Sequence, residues 1–149
     1  MSKIAIYPGS FNPWHQGHSD ILHKALPLFD NIIIARGINP DKKPKAIIDN
    51  CDQDFIDDIL KNVVCCPYAI INHYDTLLID FVKEATKKYG KIDAIIRGLR
   101  NGSDLQYEMN MQYWNEDLGL DIPTVYFITD RKYCHISSSA IRQIEGFKK

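Results

Sequence analysis

The chain has 149 residues, of which 45% are hydrophobic and 25% charged, with a formal net charge of −1. That is the size and composition of one soluble globular domain, able to bury a core without disulfides or metals. A near-neutral charge excludes any whole-molecule electrostatic case for nucleic-acid or membrane binding, while leaving room for a local basic pocket.

In chain order, KIAIY at 3–7 predicts a strand broken by PGS. Residues 17–29 predict a helix with Ile21, Leu22, Ala25, Leu28 and Phe29 at helical spacing, in which Pro27 marks a kink or an early end. NIIIA at 31–35 is a second buried strand, followed by a polar loop at 39–44 that holds Lys42 and Lys43 between two prolines. A helix over 49–62 carries Phe55, Ile56, Ile59 and Leu60 on one face. YAIIN at 68–72 is a third strand, and 77–89 an amphipathic helix with Gly90 as its C-cap. DAII at 93–96 is a fourth strand, ended by Arg97-Gly98. Residues 103–115 form a polar helix with an aromatic stripe, TVYFI at 124–128 a fifth strand, and the last helix runs from 138 to about 146. This alternation predicts an α/β domain over 1–149, a doubly wound, Rossmann-like, five-stranded parallel sheet with helices on both faces. Ligands of such sheets bind at the carboxyl ends of the strands.

The four cysteines, Cys51, Cys65, Cys66 and Cys134, form no CxxC pair and no Cys/His grouping with zinc spacing, and read as thiols of a reducing compartment. The N-terminus lacks signal-peptide features, and no apolar stretch approaches the roughly 20 residues of a membrane span. A cytoplasmic protein is expected.

Four of the five strand-end loops carry residues suited to phosphate. SFNPWHQGH after the first strand puts His15 and His18 about Gly17 at a helix start, where unpaired N–H groups attract anions. Lys42 and Lys43 follow the second strand, and could equally be solvated surface lysines. Arg97-Gly98-Leu99-Arg100 follows the fourth, offering planar guanidinium forks for oxyanions or ion pairs with Asp104 or Glu108. Ser137, Ser138 and Ser139 lead into the last helix, as donors or as a plain N-cap. HxxH supplies only two metal ligands, and no third has suitable spacing. No Walker motif, GxGxxG or Ser-His-Asp arrangement is present.

Together YPGSFNPWHQGH, IRGLRNGSDLQYEM and ISSS resemble the bacterial phosphopantetheine adenylyltransferases of the nucleotidylyltransferase superfamily, in that family's order and over nearly the whole chain. The resemblance implies a nucleotidyltransferase fold of the adenine nucleotide α-hydrolase (HUP-like) kind. It implies transfer of AMP from ATP to 4′-phosphopantetheine, giving dephospho-CoA and pyrophosphate, with Mg²⁺ and in a hexamer. Residue by residue, it places Ser10 and Phe11 against ATP and the acceptor phosphate, and His18 on the ATP phosphates. It places Lys42 and Arg97 on the phosphate of phosphopantetheine, with Leu78 in the pantetheine channel. Gly98, Leu99, Arg100 and Glu108 then belong to the ATP site, and Tyr133, Cys134, His135, Ile136, Ser137, Ser138 and Ser139 wrap the rest of the nucleotide. The catalytic set is His18, Lys42 and Arg97, with no protein metal ligand.

The chain departs from the family pattern at Asn12, usually Asp; at His15, usually Thr but His in nicotinate-nucleotide and cytidylyl relatives; in IIDNCDQDF; and in ending shortly after the last helix. Alternative readings are a nicotinate or nicotinamide mononucleotide adenylyltransferase, which His15 favours, and a non-catalytic nucleotide-binding module.

Overall fold

The computed structural model describes residues 2–38, 59 and 69–148. Lys42 and its loop, the helix expected over 49–62 apart from Ile59, and Cys51, Cys65 and Cys66 lie outside the described residues. Over the rest the elements run β1 (Ile4–Gly9), α1 (Gln16–Ala25), β2 (Asn31–Gly37), β3 (Ala69–Tyr74), α2 (Leu78–Tyr89), β4 (Ala94–Leu99), α3 (Gly102–Asp117), β5 (Thr124–Ile128), a 3₁₀ turn (Arg131–Tyr133) and α4 (Ser138–Phe147).

The strands form one five-stranded parallel sheet in the order β3-β2-β1-β4-β5, as the alternation predicted. Successive side chains point to opposite faces, and both faces are buried. Ala5, Tyr7, Ile32, Ile34, Ala94 and Ile96 pack beneath Ile21, Leu22 and Ala25 of α1, and Ile59 joins that cluster. Ile4, Ile6, Ile33, Ala35 and Ile95 pack against Ile79, Val82 and Ala85 of α2. Ile6, Ile32, Ile33, Ile34 and Ile96 are fully buried, each contributing about 1.5–3 kcal/mol relative to exposure.

The chain reverses its strand order at β1. β1 pairs with β2 along its whole length, from Ile4↔Asn31 to Gly9↔Arg36, but with β4 only at Ala5↔Ala94 and Ile6↔Ile95. Beyond Ile6 the two central strands part. The gap exposes the Pro8 carbonyl on one side and Arg97 on the other, and proline's missing N–H costs nothing where no partner strand is offered.

Of the boundaries that differ from expectation, three bear on the site. β1 continues through Pro8 to Gly9, because pairing with β2 persists there. α1 ends at Ala25 instead of Phe29, because Pro27 has no N–H to continue the helix; Leu28 N instead reaches back to Ala25 O at 2.9 Å. β4 continues to Leu99, so Arg97 and Gly98 are strand residues paired with Tyr126 and Phe127, not loop residues. Gly98 is no breaker: a Cβ there would lie 2.8 Å from Ile21 Cγ1, in a side chain that is 2% exposed. The glycine lets α1 lie against the end of β4 and so brings the start of α1 near Arg97.

Gly98→Ala is therefore expected to lower unfolding free energy by about 1–3 kcal/mol in urea melts, through overpacking against Ile21. Gly146→Ala, in a helix with open space around it, should be neutral or slightly stabilising.

Candidate active site

The turn from β1 to α1 is built on aromatic packing. Phe11 adopts φ 45 and folds back so that its ring occupies the space a side chain on Gly9 would need. It meets Tyr7 edge-on at 5.1 Å and Trp14 at 4.9 Å between centroids, and Trp14 Nε1 donates to Ser19 Oγ at 2.7 Å. His18 rests on this apolar seat, edge-on to Phe11 at 4.9 Å, and stacks on His15 at 3.7 Å.

The two histidines cap α1 reciprocally. His15 Nδ1 accepts from Gly17 N, and His18 Nδ1 accepts from His15 N, both at 3.1 Å. Burial above all, then the neighbouring His15, Arg97 and Arg100, hold the His18 pKa well below its ordinary value. Burial and then Arg100 bring His15 down to about 4. His18 is therefore neutral at pH 7. With Nδ1 already accepting, its proton sits on Nε2, a fixed neutral donor.

Arg97 occupies the gap between the central strands. Its Nε and Nη2 donate to Glu108 Oε2 and Oε1 at 2.8 and 2.7 Å, and Nη1 donates to Pro8 O. Burial works against the charge, but Glu108 and then the Tyr7 and Tyr74 hydroxyls outweigh it, so the guanidinium pKa is raised. A guanidinium has five N–H bonds. These contacts engage three, leaving one on each terminal nitrogen without a partner among the described residues. The ion-pair and oxyanion-clamp readings of Arg97 are thus compatible. Arg100 pairs with Asp104 through Nε at 3.0 Å and Nη2 at 3.2 Å, and its backbone N–H adds a 2.9 Å bond. Burial opposes ionisation of Asp104, but Arg100 overrides it and holds that pKa below the usual range.

Both carboxylates come from α3, which is turned the opposite way from an ordinary surface helix. Its less exposed positions are Asp104, Glu108, Gln112 and Asn115, whereas Leu105, Tyr107, Met109, Met111, Tyr113 and Trp114 are exposed. The inward stripe is polar because it meets arginines and the hydroxyl of Tyr126, which donates to Gln112 Oε1 at 2.8 Å.

The third wall is the segment from β5 to α4. Ser137 caps α4, accepting from Ala140 N at 3.1 Å, and Ser138 Oγ donates to Pro13 O at 2.8 Å, fastening α4 to the β1–α1 turn. Arg142 reinforces this by donating to Asn12 O and Ser139 Oγ.

A polar cleft of about 270 Å³ results, lined by Ser10, Phe11, His18, Arg97, Gly98, Arg100, Glu108, Tyr133, Ile136, Ser137, Ser138 and Ser139. Two helix N-termini, of α1 and α4, open onto it. A larger, more apolar cavity of about 400 Å³ adjoins it and includes Leu78; the two share Pro8, Gly9, Ser10, Arg97 and Glu108. Of the residues singled out in the sequence, Leu99, Cys134 and His135 line neither cavity. Leu99 O instead receives Thr129 N, and Cys134 Sγ faces the carbonyls of Arg100, Thr129 and Asp130. Sequence reasoning noted His15 at the helix start and Asp104 as an ion-pair partner without assigning either a site role; it missed Arg142 behind the cleft and the apolar wall of Tyr74, Tyr107, Met111, Leu120, Ile122 and Tyr126. The i, i+4 pair Tyr107 and Met111, flanking Glu108, carried a signal for that wall.

An unfolded histidine titrates near its ordinary value of 6.5, and native His15 only at about 4. Between those values the unfolded chain binds a proton that the native chain refuses, so this contribution to stability is complete above about pH 6.5 and is lost as pH falls toward 4. Urea melts across that window should show a stability slope that His15→Gln flattens. An unaltered slope would assign the acid sensitivity to other groups.

Residues 6–144 match the cytidylyltransferase-like family model. The chain is 38% identical over 145 residues to a phosphopantetheine adenylyltransferase of Clostridium tetani, covering 97% of this chain and 85% of the relative. It is 38% identical over 151 residues to one of Cytophaga hutchinsonii, covering 99% and 92%. A solved pantoate–β-alanine ligase of Francisella tularensis superposes with a TM-score of 0.58 at 17% identity, over 95% of this chain and 65% of that one, which shows a shared fold alone. The seat beneath His18, the paired arginines and the serine-capped helix accordingly stand in a cytidylyltransferase-like domain, and the chain belongs to the phosphopantetheine adenylyltransferases, enzymes of nucleotidyl transfer.

Proposed function

We propose that this chain transfers AMP from ATP to 4′-phosphopantetheine, releasing pyrophosphate and forming dephospho-CoA. The observation that carries the reading is the junction of two unlike cavities at Ser10, Arg97 and Glu108, beside His18. The polar cleft suits a triphosphate, and the more apolar cavity, with Leu78 in its wall, suits a pantetheine arm.

The acceptor is already a phosphate anion, so no general base or covalent nucleophile is required; positioning and charge stabilisation suffice. An acceptor oxygen bonds to the α-phosphorus as the bond to the bridging oxygen breaks, and the electron pair leaves on pyrophosphate. Arg97 turns its remaining N–H groups to the acceptor phosphate, with Lys42, which lies outside the described residues, as the second cation the resemblance implies. Ser10 and Phe11 border both substrates. His18 donates from Nε2 to charge building on the transferred phosphoryl group. Arg100, with the backbone of Gly98 and the serines at the start of α4, holds the departing pyrophosphate, and Tyr133 and Ile136 border the nucleotide.

Mg²⁺ would arrive with the ATP phosphates, whose charge it would help neutralise. Among the described residues there is no cluster of three potential metal ligands, and the cleft carboxylates Asp104 and Glu108 are committed to arginines, so they do not cage an ion by themselves. No helix among the described residues is long and apolar enough to cross a membrane, and a cytoplasmic site of action fits an ATP-consuming enzyme with the free thiol Cys134.

The inverted helix α3 supports self-association, with the hexamer of the resemblance as the expected form. Trp114 is 66% exposed and Tyr113 53%, apolar area that other copies of the chain would cover. In light scattering the 17.2 kDa chain should run as an oligomer that Trp114→Glu dissociates; a monomeric wild type sinks this part of the reading.

The deciding assay is pyrophosphate release from ATP plus 4′-phosphopantetheine, with dephospho-CoA identified by mass and nicotinate mononucleotide as the control acceptor. ATP binding without pyrophosphate release would overturn the proposal. His18→Ala should lower kcat about 10²–10³-fold with the fold intact; retention of more than about a third of wild-type turnover would remove His18 from its role.

A further inference from the structure

The cleft wall from β5 to α4 has to be held at a fixed distance from the helix that carries His18. An ionic network not used by the chemistry stands at that junction. Lys24, on the last turn of α1, donates to three oxygens: Ile128 O at 2.6 Å, Asp130 Oδ1 at 2.8 Å and Asp20 Oδ2 at 3.1 Å. Those are as many acceptors as an ammonium group has protons. Asp20, one turn earlier on α1, also takes the backbone N–H of Asp130 at 2.9 Å. The Asp20 side chain is 11% exposed and that of Lys24 32%, so the end of the network on α1 is sheltered, while the Asp130 carboxylate at its other end is exposed. Asp20 lies two residues after His18, and Asp130 three residues before Tyr133. The network therefore links the helix that presents His18 to the segment that forms the opposite wall.

We infer that Asp20, Lys24 and Asp130 are positioning residues for the nucleotide: they hold the β5–α4 wall in its binding register against α1. This rests on the proposed assignment of that wall to ATP. Tyr133 and Ile136, the part of the wall next to Asp130, border the nucleotide alike in ground and transition states and so contribute uniform binding; loosening them raises KM for ATP and leaves kcat nearly unchanged. The pantetheine cavity lies on the far side of Arg97 and contains none of the three residues, so KM for the acceptor stays the same.

The test is steady-state kinetics on the full chain with Lys24→Met, Lys24→Arg and Asp130→Asn, alongside Ser139→Ala as a probe of the wall itself. Lys24→Met should raise KM for ATP about tenfold, the scale of lost hydrogen bonds to charged groups. Asp130→Asn should raise it less, because its backbone N–H still reaches Asp20. Lys24→Arg should restore most of the loss, and kcat and KM for phosphopantetheine should stay within about twofold in the Lys24 and Asp130 variants. Asp130 is exposed, so its variant folds even if Lys24→Met does not. If KM for ATP is unmoved by Lys24→Met and Asp130→Asn but rises in Ser139→Ala, the network has no positioning role and the assignment of the wall stands. If Ser139→Ala also leaves it unmoved, the wall does not bind ATP and the inference falls with that assignment. A parallel rise of both KM values with falling kcat would mean general loosening, and would overturn it as well.

Discussion

The site depends on one guanidinium in a gap between strands. A partly buried arginine is tolerable only when its charge is matched and its N–H groups are engaged. Arg97 meets that demand with one partner from each side of the switch point, the Pro8 carbonyl on β1 and the Glu108 carboxylate on α3. The requirement runs outward from there. β1 and β4 have to part beyond Ile6 to make room, α3 has to turn a polar stripe inward to supply the carboxylate, and Gly98 has to be bare so that α1 lies alongside. Removing Glu108 would leave an unmatched buried charge, so the pair is as much a condition of the local fold as of binding.

His18 answers a different constraint. The aromatic residues below it exclude water, and two arginines share its surroundings, so a protonated imidazole would be penalised by burial and by repulsion together. The ring stays neutral, and the capping bond to Nδ1 decides which nitrogen keeps the proton. Charge and direction are thereby separated. The arginines supply positive charge that does not depend on pH near neutrality, and the histidine supplies an oriented donor that is equally constant.

The sheet was legible because its strands are nearly continuous apolar runs, and NIIIA or TVYFI has no competing periodicity. The loops after them were legible because histidine, arginine and serine at strand ends are chemically out of place in plain connections. What the sequence concealed was tertiary. Pro8 and Gly98 look like breakers and are strand residues, because the first has a partner strand on only one side and the second accommodates Ile21. Arg97 offered two readings that local sequence could not separate, since its pairing with Glu108 spans 11 positions and leaves N–H groups over. Tyr133 and Ser139 reach the cleft while Cys134 and His135 between them do not, because the 3₁₀ turn directs neighbours differently. A contiguous stretch carried over by resemblance includes residues that the backbone turns away.

Helix α3 shows how one element serves two environments through the same period. Positions 104, 108, 112 and 115 recur at helical spacing and face the sheet, so periodicity is present, but its polarity is reversed. An ordinary amphipathic reading would have buried Tyr107, Met111 and Trp114 and left Glu108 in water, which would strip Arg97 of its partner. The arginines therefore dictate which face turns inward, and the apolar residues go where no arginine competes for them. Tyr107 and Met111 then border the larger cavity while Tyr113 and Trp114 face away from the chain. The face that lines the cavity and the face exposed to solvent are thus consecutive faces of one helix, set by the charge that helix must neutralise.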